Sequence, residues 1–243
     1  MGTMESNAPG MGLAKLSGPC PGNWLIRERL FQRLDEASPQ SAIWISGPGG
    51  SGKTTLIASY LVCRRRPTLW YHLDAGDDDL ASFFMHLSMA ASRLEQEVTP
   101  QLTLFTPEYQ SDPSAFSRMF FRQLFAQLPR SCALVFDNYQ EIPVISCLHE
   151  VLAIGIAEAP SGIQFLIGSR TVPPDSYARL SANGVLLILG WDDLRLTYEE
   201  TIRFINARHE ASTPWQDRGE EIYDLTQGWA AGLVLMMTHM EGQ

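Results

Sequence analysis

Eight consecutive residues, Gly47-Pro48-Gly49-Gly50-Ser51-Gly52-Lys53-Thr54, satisfy the pattern G-x-x-x-x-G-K-[ST] at every fixed position. Closely spaced glycines let successive backbone N–H groups curl around an anion with no Cβ in the way. A helix opening near Lys53 would aim the positive end of its dipole at that same anion. Lys53 supplies a point charge for β- and γ-phosphates, Thr54 a hydroxyl able to ligate Mg²⁺, and Thr55 a second hydroxyl for the α-phosphate. The bland alternative is a glycine-rich turn that matches by chance, and the strand before and helix after the loop argue against it.

Phosphates held with Mg²⁺ call for a carboxylate at the end of a neighbouring strand. Ala133-Leu134-Val135-Phe136-Asp137 offers four apolar residues and then an acid where a strand should emerge. Asp137 is the expected metal residue, directly or through water; its alternative is a simple strand-end turn former. The next position is Asn138, an amide that cannot take a proton from water. Glu141 is the nearest other carboxylate and so a candidate catalytic base. Phe165-Leu166-Ile167-Gly168-Ser169-Arg170 reads as a second strand ending in polar residues, which sets Arg170 to sense a γ-phosphate or, more plainly, to pair on the surface.

The elements that must position these groups follow from periodicity. Strand candidates are 42–46, 68–73, 133–136, 164–168 and 185–189, each short, apolar and bounded by turn residues. Helical spacing appears over 24–34, 54–63, 80–94, 116–128 and 145–159. Strands alternating with helices imply a parallel sheet covered on both faces. After Leu189 the strands stop, and 197–208, 215–226 and 229–240 read as helices, the first opening with the capping box Thr197-x-x-Glu200. The expected organisation is a tail over 1–22, an α/β nucleotide-binding domain over 23–190 and an all-helical domain over 191–243. The tail is rich in Gly, Pro and Ser and reads as mobile. The last helix runs to the end without a clear stop, as if the natural chain continued.

Composition narrows the function. The 243 residues are 45% hydrophobic and 19% charged, which supports a packed core and excludes wholesale disorder. A net charge of -9 argues against a free-standing nucleic-acid binder. Arg64-Arg65-Arg66 is a short basic cluster, read as a solvated helix end. Cys20, Cys63, Cys132 and Cys147 lack metal-ligand or scaffold spacing. No apolar run approaches the ~18 residues of a bilayer span, and the start lacks the basic and apolar stretches of a signal peptide. The expected setting is cytoplasmic. In Asp77-Asp78-Asp79, Asp78 or Asp79 reads as a helix N-cap; Phe83-Phe84 and Phe120-Phe121 read as core, and Trp191, at the join of the two domains, as hinge packing or part of the seam with the helical region.

In order along the chain, several segments together resemble the nucleotide-binding region of STAND-class regulators, in the branch of large LuxR-type, maltose-activator-like transcription factors. They are Ile26-Arg27-Glu28-Arg29-Leu30, the phosphate loop, Trp70-Tyr71-His72-Leu73-Asp74, Phe136-Asp137-Asn138-Tyr139, Gly168-Ser169-Arg170, Asp193-Leu194-Arg195-Leu196-Thr197 with Glu199-Glu200, and Gly228-Trp229-Ala230-Ala231-Gly232-Leu233. The resemblance implies a P-loop NTPase of α/β class, with a five-stranded sheet and a helical lid holding ATP or ADP with Mg²⁺ between them. It implies that Ile26, Arg27 and Arg29 lie against the base and Gly228 close to the nucleotide. It also implies a switch, ADP-bound and closed at rest and self-associating when ATP-bound, with sensor and DNA-binding modules elsewhere and no DNA binding by this segment. Asn138 departs from the family, where a second acid is usual, so slow hydrolysis is expected. Two other readings stay open: a small-molecule kinase and a scaffold that binds nucleotide without hydrolysing it.

Overall fold

In the three inner strands every residue is buried, which is how a chain behaves when both faces of a parallel sheet are covered. The computed structural model describes residues 14–37, 42–94, 102–208 and 218–241. The strands are β1 (Ala42–Ser46), β2 (Thr68–His72), β3 (Ala133–Asp137), β4 (Gln164–Ser169) and β5 (Leu186–Leu189). They pair in parallel in the order β2-β3-β4-β1-β5, with Asp137 opposite His72 and Ser169 opposite Ser46. All carboxyl ends therefore emerge on one side, where the loops after β1, β3 and β4 meet.

Alternation along the strands divides the interior in two. Trp44, Leu134, Phe136, Phe165 and Ile167 point to one face, where α3 (Leu80–Ala91), α4 (Pro113–Gln127) and α5 (Leu148–Glu158) bury a phenylalanine-rich cluster. Phe83, Phe84, Phe120 and Phe121 all belong to it, as the sequence indicates. Ile43, Ile45, Val135 and Leu166 point to the other face, against α1 (Glu28–Glu36) and α2 (Lys53–Cys63). Between β4 and β5 lies the short α6 (Ala178–Ala182).

Beyond β5 come α7 (Trp191–Leu194), α8 (Tyr198–Arg208), α9 (Gly219–Thr226) and α10 (Ala230–Glu241). Leu196, Ile205, Ile222, Leu233 and Met237 form their own small core. The capping box is present: Glu200 N donates to Thr197 Oγ1 and Thr197 N to Glu200 Oε2, both at 3.1 Å. Trp215, expected to open a helix, lies outside the described residues.

Two local expectations differ from the structure. The first helix starts at Glu28, not Trp24. Arg27 has φ -105° and ψ 72°, because its side chain is committed to another region of the molecule, described below. The tail, expected to be mobile, is anchored over 14–18. Leu16 is buried in the phenylalanine-rich cluster, Gly18 abuts the Trp70 ring, and Lys15 bridges Asp74 and buried Asp77. Asp79, one of the two acids expected to cap a helix here, caps α3 by accepting the Ser82 N–H. In the basic cluster Arg64 pairs with Asp35, while Arg66 bonds Ser131 O, Gly162 O and Gln164, so it fastens the amino ends of β3 and β4.

Candidate functional site: the phosphate loop and its helical cover

The loop leaves β1 at Ser46 and enters α2 at Lys53. Gly50 and Gly52 take φ values of +72° and +86°, backbone that side-chain-bearing residues seldom adopt. A Cβ on Gly49 would meet nothing within 4 Å, so the loop's mouth stays open. Lys53 Nζ folds over the loop and donates to Gly47 O at 2.8 Å, Pro48 O at 2.9 Å and Ser51 Oγ at 3.3 Å. Burial holds its pKa below the ordinary lysine value; Asp137 pulls the other way and Arg170 adds to the lowering. Two cations therefore face the same space.

Thr54 Oγ1 donates to Asp137 Oδ2 at 2.7 Å, joining the first turn of α2 to the end of β3. Asp137 is buried; it also accepts the Asn138 N–H at 3.0 Å and has His72 Nδ1 3.7 Å away. A Cβ on Gly168 would stand 2.5 Å from Asp137 Oδ1, so glycine at this point of β4 is what leaves room for the carboxylate. A hydroxyl and a carboxylate at this separation are hard oxygen donors suited to Mg²⁺.

Around these groups lies a cavity of about 230 Å³, lined by Gly49, Gly50, Gly52, Lys53, Thr54, Thr55, Asp137, Asn138, Gln140 and Arg170. It shares Gly50, Gly52 and Thr55 with a larger cavity of about 400 Å³, walled by Asn23, Trp24, Leu25, Arg27, Leu56, Leu196, Phe204, Ala230, Ala231 and Val234. The first is polar and cationic, the second mostly apolar. Together they suit a phosphate tail and a planar base.

The helical region touches the loop directly. Ala231 N donates to Gly50 O and Trp229 Nε1 to Gly49 O, both at 3.0 Å. A Cβ on Gly50 would stand 2.3 Å from the Ala231 Cβ. A second join lies behind the base-side cavity. Arg27 donates to Leu194 O, Arg195 O and Glu200 Oε2 at 2.8–2.9 Å. Arg29 donates to Asp193 O, Arg195 O and Glu200, and Arg33 pairs with Asp193. Burial lowers the Arg27 pKa despite its ion pair. For Glu200, burial raises the pKa, but hydrogen bonds from Arg27 and Thr197 and the two arginine charges outweigh it and hold the carboxyl low.

The loop residues, Thr55, Asp137 and Arg170 thus converge. Of the residues expected at the base, Arg27 lines the larger cavity, but Arg29 is turned to the 193–200 segment and Ile26 is exposed and borders neither cavity. Gly228, at φ +75°, accepts the Leu196 N–H and borders neither cavity. Glu141 is exposed on the turn after Asn138, outside the phosphate-side lining, and accepts from Gln140 Nε2. The sequence pattern does not mark Gln140, nor Trp24, Leu25 and Phe204, as site residues. The available signal is Asn138, a residue type tolerant of left-handed backbone, here at φ 61°.

The family model described as Nephrocystin 3, N-terminal, matches residues 21–170. The chain is 31% identical over 233 residues to the HTH-type transcriptional regulator MalT of Cronobacter sakazakii and 26% identical over 224 residues to MalT of Vibrio cholerae. These alignments cover 92% and 91% of this chain but 24% of each relative, so the chain spans about a quarter of their length. Among solved structures, a STAND protein with a tetratricopeptide repeat sensor from Pyrococcus horikoshii superposes with TM-score 0.60 at 14% identity, over 93% of this chain and 31% of that one. A Walker-type ATPase of Pyrococcus abyssi gives 0.57 at 16%, over 86% and 65%. Both likenesses are of fold. The chain belongs to the family described as Nephrocystin 3, N-terminal, and its resemblance to the STAND-class P-loop region of MalT-like regulators extends over nearly its whole length.

Proposed function

We propose that this chain is the nucleotide-binding switch segment of a signal-dependent transcription regulator, a slow ATPase that rests with ADP and self-associates with ATP. The carrying observation is the pair of hydrogen bonds from Trp229 and Ala231 to the carbonyls of Gly49 and Gly50. They couple the phosphate loop mechanically to the helical region, so whatever fills the loop bears directly on the helices. In this reading the loop amides and Lys53 would hold the phosphates, and Thr54 and Asp137 would hold Mg²⁺, which would supply positive charge against the phosphates. The larger cavity takes the adenine. The regulator name of the MalT relatives supports the role, and the remaining three quarters of such a protein would carry the sensor and DNA-reading modules. Cytoplasmic placement follows from that role.

Asn138 favours one second reading, a scaffold that binds nucleotide without turning it over. Titration calorimetry tests the shared claim. A charge-assisted contact of the Lys53 kind is worth roughly 1.5–3 kcal/mol, so Lys53→Ala should weaken ATP about 10- to 100-fold. Unchanged ATP affinity would overturn the proposal.

A further inference from the structure

Among the residues lining the phosphate-side cavity stands Gln140, an uncharged side chain outside every motif of the loop. It occupies the short 3₁₀ turn Tyr139–Glu141, entered through the left-handed backbone of Asn138. That reversal brings the Gln140 amide back over the end of the sheet. Its Oε1 accepts the backbone N–H of Arg170 at 3.0 Å, and its Nε2 donates to Glu141 Oε1 at 3.1 Å. The second bond fixes which end of the amide faces Arg170. The next residue, Thr171, is also held: its N–H donates to Ser169 Oγ at 3.1 Å, and its carbonyl accepts from Trp44 Nε1 at 2.9 Å. The backbone from which the Arg170 guanidinium projects is thus pinned on both sides, and on the cavity side the pin is Gln140.

Arg170 and Lys53 line one cavity, and their like charges repel each other there. Lys53 rides on the loop, so its position follows the phosphates nearest the glycines. Arg170 follows the last residue of β4, the strand next to the one that ends in Asp137. A diphosphate seated in the loop is within the reach of Lys53, whereas a third phosphate would extend toward Asn138, Gln140 and Arg170.

We infer that Gln140 is a positioning residue for tri- against diphosphate discrimination: by accepting the Arg170 N–H, it ties the ends of β3 and β4 together and holds the guanidinium where only the terminal phosphate reaches it. This rests on the nucleotide-binding reading above and adds the element that distinguishes the two nucleotides.

The test is paired calorimetry of ATP and ADP, each with Mg²⁺, on the chain and its variants. Gln140→Met keeps the side-chain length and removes the acceptor, and Gln140→Ala serves if Met disturbs folding. Losing one neutral hydrogen bond corresponds to roughly a 3- to 10-fold effect. ATP should therefore weaken by about that factor while ADP stays within about twofold. Arg170→Ala should show the same selectivity, and the double variant should be no worse than Arg170→Ala alone, since the two act in series. Equal weakening of ATP and ADP would mean a merely structural role and overturn the inference. So would unchanged ATP affinity in Gln140→Met, no effect of Arg170→Ala, or additive losses in the double variant. Lys53→Ala separates the two levels. If it loses both nucleotides while Gln140→Met loses neither, only this inference fails; if the unaltered chain binds neither nucleotide, the underlying reading fails with it.

Discussion

Trp229 Nε1 donates to the carbonyl of Gly49 at 3.0 Å, a bond spanning 180 residues of sequence. The indole sits on Gly232 of the helix that Trp229 precedes, where a Cβ would approach the ring to 2.7 Å, so its orientation is fixed by a residue that has no side chain. It thus ties a carbonyl of the phosphate loop to the start of the last helix.

Trp229→Phe keeps most of the ring and removes the donor. A net hydrogen bond of this type contributes about 0.5–1.5 kcal/mol, and here it acts on the loop rather than on the core. Global stability should change by less than about 1.5 kcal/mol in urea unfolding. Amide exchange over residues 47–53 should accelerate several-fold more than exchange in β1. Uniform acceleration across the sheet would show that Trp229 serves general packing instead.

The second join is electrostatic. The side chains of Arg27 and Glu200 are 7% and 2% exposed, with 2.9 Å between Nη2 and Oε2. Removing one charge of a buried pair leaves the other uncompensated, typically at 3–5 kcal/mol. Glu200→Gln keeps the shape and the capping acceptor, so about 3 kcal/mol is expected. The Glu200 carboxyl is held low in the fold, so its stabilisation is complete above the unfolded value near 4.3. It is lost as pH falls through the lower folded value. Urea unfolding at pH 7 should show the deficit, and below pH ~4 the gap between the two proteins should narrow. A constant gap down to pH 3 would exclude the ion pair as its cause.

What is legible in the sequence is what depends on neighbours in sequence. The glycine spacing, the acid after four apolar residues and the Thr197–Glu200 box each describe a structure within a few residues, and the structure contains all three. The helical pattern from Trp24 to Leu34 holds only from Glu28, because the backbone of 24–27 follows the bonds of Arg27 to residues 194–200, which no local period records. The packed Ala14–Gly18 segment is hidden for a similar reason. Its one anchoring apolar side chain, Leu16, stands in a Gly/Pro-rich run, and its ion pair is with Asp77, sixty-two residues on. Gln140 has no motif; only the turn at Asn138 brings it into the cavity.

The remaining prediction concerns turnover. Asn138 holds φ 61° and ψ 36°, a conformation that Asn and Asp both tolerate, so Asn138→Asp adds a carboxylate without forcing the backbone. Its side chain borders the phosphate-side cavity, beside buried Asp137, whereas Glu141 is exposed and outside that lining. A well-placed general base contributes about 10²–10⁴-fold. The unaltered chain should therefore hydrolyse ATP below the ~1–10³ s⁻¹ of ordinary enzymes. Asn138→Asp should raise the single-turnover rate at least several-fold, with ATP affinity changed little. Asp137→Asn, which replaces the acid bonded to Thr54, should instead weaken binding only when Mg²⁺ is present. Glu141→Gln should leave the rate where it is, because its carboxylate is turned to the Gln140 amide. If Glu141→Gln abolishes hydrolysis and Asn138→Asp does nothing, the base is Glu141 and the turn must rearrange around bound nucleotide. A fast rate indifferent to both changes would instead rule out a slow switch.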